Sequence, residues 1–238
     1  MNVVIIGKGK MGTLLEQTAI ANGMNVLGKA DLFDPSALEN SLDQVDVILN
    51  FSHPDNLEWL LQTISHHSIA LVEGTTGYSQ TQKDMLFEFS NTHPVFFSAN
   101  YSLGIAILCQ LAKKVSAQLK EKWDIEVVET HHNQKVDAPS GTALALVEAL
   151  DPEHEFEHVY GRQGSVGKRQ KEIGIHALRG GTIPGKHEIH FFGQDEELTL
   201  SHNAQSRQIF VNGAIHAAKF MVGKPNGLYD MNDLVSLN

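Results

Sequence analysis

The sequence predicts an α/β protein in which a parallel sheet wrapped by helices is followed by a smaller α+β region with an open mixed sheet. Two observations carry this prediction. Up to about residue 102, short β-branched apolar runs alternate with segments of helical spacing, the pattern of a parallel sheet with crossover helices. Beyond that point, longer runs alternate between apolar and polar residues, which indicates strands with one exposed face.

The first region begins with an apolar run that ends at a glycine, as a buried parallel strand does before its turn. The strands predicted from such runs are Asn2–Ile6, Asn25–Leu27, Val45–Phe51, Ala70–Val72 and Val95–Phe97. The helices predicted between them are Met11–Ala21, Ala37–Leu42, Asn56–Ser65 and Gln80–Ser90. Gly23 marks the end of the first helix, because glycine is common just past a helix C-terminus.

The second region opens with a long predicted helix and carries most of its strands later. Two helices and a strand come first: Ile105–Leu119, the strand Asp124–Thr130, and Thr142–Leu150. A glycine-rich basic loop, Gly161–Lys171, then leads to three predicted antiparallel strands. These strands are Ile173–Leu178, Lys186–Gly193 and Glu197–Ala204. The last helix, Ile209–Val222, is expected to return to the first region.

Composition argues against several classes of partner. The 238 residues carry a formal net charge of −10 without a long basic run, so neither nucleic acid nor a membrane surface is an expected partner. No apolar stretch approaches the roughly 20 residues that a membrane span needs. The histidines show no metal-binding spacing, so no metal is expected. The single cysteine, Cys109, excludes an internal disulfide, favours a cytoplasmic location and is interpreted as core packing.

A glycine-rich turn follows the first predicted strand and opens the first helix. It fits the pattern G-x-G-x-x-G through Gly7, Lys8, Gly9, Lys10, Met11 and Gly12. In this context the glycines allow a tight turn, close approach of backbone to a pyrophosphate, and close packing of helix on strand. We therefore predict a Rossmann-like, doubly wound domain for NADH or NADPH over residues 1–102 and 209–238, and a substrate-binding and oligomerisation domain over 103–208.

Asp31 lies at the end of the second strand, 19 residues after Gly12. An acidic residue at this place can accept hydrogen bonds from the ribose hydroxyls of NADH. Lys29 lies two residues earlier and suits the 2′-phosphate of NADPH, so the choice between the two cofactors stays open. The alternative interpretation of Asp31 is a solvated loop aspartate.

Two further segments follow predicted strands at the carboxyl edge of the sheet, where doubly wound sheets bind ligands. The first contributes Gly74, Thr75 and Thr76, which Gly77 follows, and the second contributes Ser98, Ala99, Asn100 and Tyr101. Small and hydroxylated residues at these positions suit a nicotinamide ring that lies close to backbone. Ordinary turns remain the alternative for both segments.

The most specific segment runs from Glu129 to Ala143, with the sequence ETHHNQKVDAPSGTA. It places His131, His132 and Lys135 just before a Pro-Ser-Gly-Thr turn that opens a helix. The unpaired N–H groups of that helix start, together with the lysine, suit a carboxylate ligand, and the histidines suit proton transfer. A polar surface loop with a helix cap is the alternative.

These motifs resemble those of the 4-hydroxy-tetrahydrodipicolinate reductases, also called dihydrodipicolinate reductases. The family pattern E-x-H-H-x-x-K-x-D-A-P-S-G-T-A runs unbroken here, and the glycine turn, GTTG, S-A-N-Y-S and Glu172–Gly181 match in order. The resemblance implies hydride transfer from NAD(P)H to a dicarboxylated ring in the diaminopimelate route of lysine biosynthesis. It also implies a homotetramer joined through the sheet of the second domain.

By motif position, the resemblance makes His131 the general acid and Lys135 a second proton-donating and charge-stabilising group. It assigns substrate carboxylate to His132, Lys135, Gly141 and Thr142. The chain departs from the family in its glycine turn, which is one residue shorter and has Lys10 in place of arginine. Two other classes of protein are alternatives. A different Rossmann reductase that used a cysteine nucleophile would find Cys109 badly placed, and a cofactor sensor needs neither His131 nor Lys135.

Overall fold

The structure is a computed structural model that describes residues 1–235. The first predicted domain extends to residue 238, and its last three residues lie outside the described residues. The chain divides into two compact units, one formed by Met1–Leu103 together with residues 208–235, the other by Gly104–Arg207. Each unit has its own sheet.

The first unit contains a six-stranded parallel sheet with the strand order β11-β5-β4-β3-β1-β2. Its strands are β1 (Asn2–Ile6), β2 (Asn25–Ala30), β3 (Val47–Asn50), β4 (Ala70–Glu73), β5 (Pro94–Phe97) and β11 (Gly227–Tyr229). Its helices are α1 (Lys10–Ala21), α2 (Ser36–Glu39), α3 (Asn56–Ile64), α4 (Gln80–Phe89), α7 (Gln208–Met221) and α8 (Met231–Leu234).

The central strands of this sheet are buried on both faces, which explains their continuous apolar runs. Val3 and Ile6 of β1 are both fully buried, although they point to opposite faces. On one face, Val4 and Ile6 join a core that includes Leu57 and Leu60 of α3. Helix α7 packs against α1 and against β3, β4 and β5. The predicted doubly wound class is therefore confirmed, and the last helix belongs to the first unit.

The second unit contains a five-stranded sheet with the order β10-β9-β6-β8-β7. Its strands are β6 (Asp124–His131), β7 (Glu157–Tyr160), β8 (Glu172–Arg179), β9 (Gly185–Phe192) and β10 (Glu197–Ala204). Two helices, α5 (Leu103–Leu119) and α6 (Gly141–Leu150), supply apolar side chains to its core, which includes Ile125 and Val127 of β6. Cys109 is half-buried against this core, and burial raises the pKa of its thiol.

One topological prediction for this sheet was wrong. The strand predicted at Ile173–Leu178 was placed in an antiparallel set, whereas β8 runs parallel to both β6 and β7. The antiparallel pairs of this sheet are β9 with β6 and β9 with β10. Parallel neighbours need long connections, and the loop Gly161–Lys171 provides the one that returns the chain from the end of β7 to the start of β8. Strand β7, which was not predicted, makes that loop necessary.

Within residues 1–235, no helix is long and apolar enough to cross a membrane. The same residues contain no group of three or more histidine, cysteine or acidic side chains placed to hold a metal ion.

Candidate active site

The glycine turn after β1 has a shape that only glycine allows. Gly7 has a φ of 113°, and a Cβ added there would lie 2.8 Å from the carbonyl oxygen of Phe51. A Cβ added to Gly12 would lie 1.9 Å from the carbonyl oxygen of Gly7. The first turn of α1 therefore packs directly on the end of β1, as the first and third glycines of a dinucleotide turn require.

The N-terminus of α1 is open in the way that a phosphate site needs. Gly9 is its N-cap residue, and no side chain of the described residues caps the helix there. An added Cβ at Gly9 would meet no heavy atom of residues 1–235 within 4 Å. The first turn, which starts with Lys10 and Met11, contains no acidic residue. Unpaired N–H groups and the positive end of the helix dipole thus face free space, and the turn fits a pyrophosphate.

Asp31 lies at the end of β2, but the lysine beside it is not the one that the sequence suggested. Lys29 forms an ion pair of 2.5 Å with Glu16 on α1. Lys8 instead lies 3.7 Å from Asp31 and 2.6 Å from Asp34. Hydrogen bonds and charge from these two aspartates raise the pKa of Lys8. The lysine that pairs with Asp31 therefore comes from the glycine turn itself, and Asp34 shares it.

A cavity of about 280 Å³ lies in the first unit, at the carboxyl ends of its strands. It joins residues from three of the predicted segments with three residues that sequence reasoning missed. The predicted lining residues are Met11, Gly74, Thr75, Thr76, Ala99 and Tyr101, and the missed ones are Phe51, Ser52 and Phe210. Ser98 and Asn100 instead shape the turn after β5, where the Ser98 hydroxyl donates to the Asn100 carbonyl at 2.9 Å.

In the second unit, Glu129 and His131 form a hydrogen-bonded pair at the end of β6. Residues two apart on a strand share a face, so both side chains point to the core side of the sheet. Glu129 is fully buried, and its Oε2 lies 2.5 Å from His131 Nδ1. Because Nδ1 faces a carboxylate, the Nδ1–H tautomer is favoured, and His131 Nε2 is left as the atom for proton exchange.

Two further residues hold Glu129 through three hydrogen bonds. Arg179 donates to both of its carboxylate oxygens at 2.8 and 2.9 Å, and the Ser140 N–H donates at 3.0 Å. Burial acts to raise the pKa of Glu129, but hydrogen bonds from Arg179, His131 and Ser140 outweigh it and lower the pKa. The carboxylate is thus ionised at neutral pH and stabilises a positive charge on His131.

His187 on β9 closes the group from a third strand. Its ring centroid lies 5.1 Å from that of His131, and its Nε2 lies 3.2 Å from the Ser140 hydroxyl. Burial lowers the pKa of His187 to about 4, so it is neutral at physiological pH. The Ser140 hydroxyl oxygen accepts from the N–H of Ala143 at 3.2 Å, which makes Ser140 the N-cap of α6. The same hydroxyl thus links the start of α6 to the His187 ring.

The remaining predicted residues follow β6. Lys135 forms an ion pair of 2.8 Å with Asp137, and Arg179 donates to the Asp137 carbonyl at 2.6 Å. Gly141 is exposed and begins α6, with Thr142 next to it. His132 directly follows β6 and is half-buried. The segment thus places a lysine, two histidines and a helix N-terminus close together along the chain.

The glycine turn, the cavity at the strand ends and the His131 ring hydrogen-bonded to the ionised Glu129 define the chain as an oxidoreductase that uses a nicotinamide dinucleotide. Family models described as the N-terminus and the C-terminus of dihydrodipicolinate reductase match residues 1–101 and 104–235. The chain belongs to the dihydrodipicolinate reductase family.

Relatives and a solved structure match this chain over nearly its full length. The 4-hydroxy-tetrahydrodipicolinate reductase of Clostridium novyi is 42% identical, with 98% of this chain and 97% of the relative covered. That of Alkaliphilus metalliredigens is 40% identical, with both chains covered completely. The dipicolinate-bound dihydrodipicolinate reductase from Paenisporosarcina sp. TG-14 has the same fold, with a TM-score of 0.79 at 24% identity and 99% of both chains covered.

Sequence reasoning missed Arg179 and His187 as members of the site because both depend on strand pairing. His131 pairs with Arg179 between β6 and β8, and Glu129 pairs with His187 between β6 and β9. Because β8 was predicted to lie in an antiparallel set, the pairing of His131 with Arg179 could not be predicted. The segment Glu172–Gly181 does contain this arginine, but its contacts could be assigned only from the register of the paired strands.

Proposed function

We propose that this chain reduces 4-hydroxy-tetrahydrodipicolinate to tetrahydrodipicolinate in the diaminopimelate route of lysine biosynthesis. The observation that carries the proposal is the pair of His131 with a buried, ionised Glu129 inside the unbroken family segment. Family membership and the names of full-length relatives support the substrate. The first unit would hold the dinucleotide and the second the ring substrate.

The first unit supplies the groups that would hold NADH or NADPH. The N-terminus of α1 with Gly7 to Gly12 would bind the pyrophosphate, and Asp31 with Lys8 would lie toward the adenosine ribose. The cavity lined by Gly74 to Thr76, Ala99 and Tyr101 would receive the nicotinamide, with Ser98 and Asn100 shaping its wall. When bound, the reduced cofactor supplies the hydride for the reaction.

His131 would act as the general acid through Nε2. Hydride addition leaves the substrate more electron-rich, so a proton donor must accompany it. A Cβ on Gly185 would lie 3.0 Å from His131 Nε2, and the glycine therefore keeps that side of the ring clear. Glu129 would keep His131 oriented and stabilise its protonated form. Lys135 would be the second donor, once the substrate replaces Asp137 as its partner.

The start of α6 would bind a substrate carboxylate. Gly141 and Thr142 lie in the first turn of a ten-residue helix, whose dipole favours an anion there, and an added Cβ on Gly141 would meet nothing in residues 1–235 within 4 Å. Lys135 and His132 would add positive charge or hydrogen bonds for the carboxylate. Substrates with a single carboxylate should then bind less tightly than the dicarboxylate.

The proposal is tested by turnover of His131→Ala. The product of the upstream synthase is supplied, and loss of the absorbance band of reduced nicotinamide is followed. We expect kcat to fall by roughly 10²–10⁴, with cofactor affinity almost unchanged, because His131 would act only on the substrate. Wild-type protein that binds cofactor but does not oxidise it with this substrate would refute the function, and unchanged turnover of the variant would refute the acid assignment.

We also propose that the chain forms a homotetramer and is located in the cytoplasm. The face of the second sheet opposite its core carries Leu178, Phe192 and Val128, and the first two are 49% and 40% exposed. Burial of these side chains against another copy is favourable, and the single cysteine suits a reducing compartment. Sedimentation should show a tetramer that Leu178→Asp dissociates. A wild-type monomer would contradict this part.

A further inference from the structure

Glu73 is a fully buried carboxyl group at the end of β4, immediately before the turn Gly74–Gly77. Its Oε2 accepts from the Asn50 side-chain amide at 2.7 Å, and its Oε1 accepts from the Thr75 N–H at 2.8 Å. No lysine, arginine or histidine of residues 1–235 forms an ion pair with it. A buried carboxyl without a cation is unusual, because ionisation in such a place is costly.

The same carboxyl group is linked to the lining of the nicotinamide cavity. Thr75, whose N–H it accepts, is a lining residue, and the Thr75 hydroxyl accepts from the N–H of Ser52, another lining residue. The Tyr101 hydroxyl donates to the Glu73 carbonyl at 2.7 Å, and Tyr101 also lines the cavity. Glu73 therefore lies directly behind the wall of this cavity, where the medium screens charge weakly.

The titratable groups that face Glu73 are both tyrosines. Tyr78 follows β4 and Tyr101 follows β5, and burial together with the charge of Glu73 raises the pKa of each, so both stay neutral. Burial also raises the pKa of Glu73 to about 7, against the lowering effect of its hydrogen bonds from Thr75 and Asn50. The charge of Glu73 therefore changes close to neutral pH without a neighbouring cation to hold it.

We propose that Glu73 is an electrostatic positioning residue that favours the oxidised form of the nicotinamide over the reduced form. The inference rests on the proposed cofactor cavity. The oxidised ring carries a positive charge and the reduced ring is neutral, so a buried carboxylate behind the cavity wall stabilises only the oxidised state. Since that charge develops as the hydride leaves, ionised Glu73 would favour hydride transfer from the cofactor.

The effect is measurable in binding, without turnover. Two unit charges roughly 10 Å apart at an effective dielectric constant of about 20 change an equilibrium by roughly tenfold. NAD⁺ and NADH share the same phosphates and riboses, so the ratio of their dissociation constants isolates the ring charge. We expect Kd(NAD⁺)/Kd(NADH) of the wild type to fall roughly tenfold as the pH rises from 6 to 8.5, because Glu73 becomes ionised.

The variant is Glu73→Gln, and the matched control is Asp151→Asn. Asp151 is also a buried carboxyl group that accepts two backbone N–H groups, from Glu155 and Phe156, but it lies in the second unit. Calorimetric titration of the full chain should show a flat, high ratio for Glu73→Gln and wild-type behaviour for the control. A purely structural role for Glu73 would weaken NAD⁺ and NADH equally and leave the ratio unchanged.

Three results would overturn the inference. The first is a wild-type ratio that does not change with pH, and this result decides alone if circular dichroism shows that Glu73→Gln is unfolded. The second is a variant whose ratio follows that of the wild type. The third is a chain that binds neither NAD⁺ nor NADH, which would refute the proposed cofactor site as well, whereas the first two results leave that site standing.

Discussion

At the scale of single residues, the second unit is organised around one carboxylate. Glu129 is fully buried and accepts from Arg179, His131 and the N–H of Ser140. Removing the shared acceptor of such a network leaves its donors buried and unpaired, which costs more than a single hydrogen bond contributes. The ionisation state of Glu129 therefore matters both for the fold of this unit and for the tautomer of His131.

Glu129→Gln is predicted to reduce turnover more than stability. The glutamine amide is neutral, so it offers no negative charge to His131 and Arg179. The protonated form of His131 therefore loses its electrostatic stabilisation. We expect kcat to fall by roughly 10²-fold or more. Steady-state rates of the variant and the wild type measure this.

The matched control for that variant is Glu126→Gln. Glu126 lies on the same strand but on the opposite face, where it pairs with Arg162, Arg169 and His176. It touches none of the proposed site residues, so its loss should lower stability and leave kcat within about twofold. Equal losses of kcat in the two variants would show that Glu129 has only a structural role.

At the scale of elements, both proposed binding sites lie at helix N-termini, but the two helices begin differently. Helix α6 is capped by the side chain of Ser140, whereas α1 begins at the bare backbone of Gly9. The Ser140 hydroxyl already occupies the N–H of Ala143 in the first turn of α6, whereas the glycine lets a bulky group reach the first turn of α1. The two helix starts therefore differ in how much backbone they leave for an anion.

Two alanine substitutions should separate packing from binding in the glycine turn. Gly12→Ala forces a Cβ against the Gly7 carbonyl at 1.9 Å, so we expect a loss of roughly 2–3 kcal/mol in stability together with lost cofactor binding. Gly9→Ala meets nothing in the described residues, so stability should stay within about 0.5 kcal/mol while cofactor affinity falls. Thermal unfolding and fluorescence titration measure both effects. Wild-type NADH affinity in Gly9→Ala would contradict a pyrophosphate site there.

A second pair of substitutions tests the start of α6. Ser140→Ala removes the N-cap and the hydroxyl that hydrogen-bonds to His187 Nε2, so we expect a loss of about 1–2 kcal/mol in stability and weaker binding of dipicolinate. Ser79→Ala removes the equivalent cap of α4 in the first unit. That control should cost about 1 kcal/mol and leave dipicolinate affinity unchanged. If both variants bind dipicolinate like the wild type, α6 is not a carboxylate site.

Most elements follow from local patterns, and those that do not depend on long-range pairing. The buried runs of β1, β3 and β4 and the glycine turn before α1 were predictable, because burial on both faces of a parallel sheet leaves an unbroken apolar run. Strand β11 has only three residues and forms by pairing with β5, so its own sequence carries no signal. Glu73 was missed for a similar reason: a charged residue at the end of an apolar run normally marks the exposed end of a strand.

For the whole molecule, we predict a specific loss of stability in acid. Although burial acts to raise it, hydrogen bonds from Arg162, His176 and Arg169 lower the pKa of Glu126 to about 2. A depressed pKa stabilises the fold above the unfolded value of about 4.5, and that contribution disappears as the pH falls from about 4.5 to about 2. Denaturant unfolding at pH 7 and pH 3 should show the wild type losing about 2 kcal/mol relative to Glu126→Gln, because pH 3 lies between the folded and unfolded pKa values. A constant difference would contradict the shift.

The discontinuity of the first unit has a consequence for how the chain is made. Its sheet is completed by β11 and covered by α7, both of which come from residues 208–235, whereas the second unit is one continuous segment, Gly104–Arg207. On the ribosome, the second unit therefore emerges whole while β5 still presents unpaired backbone groups at a sheet edge. The unit whose synthesis begins first is thus the unit that finishes folding last, and its sheet edge stays open until the end of the chain has been made.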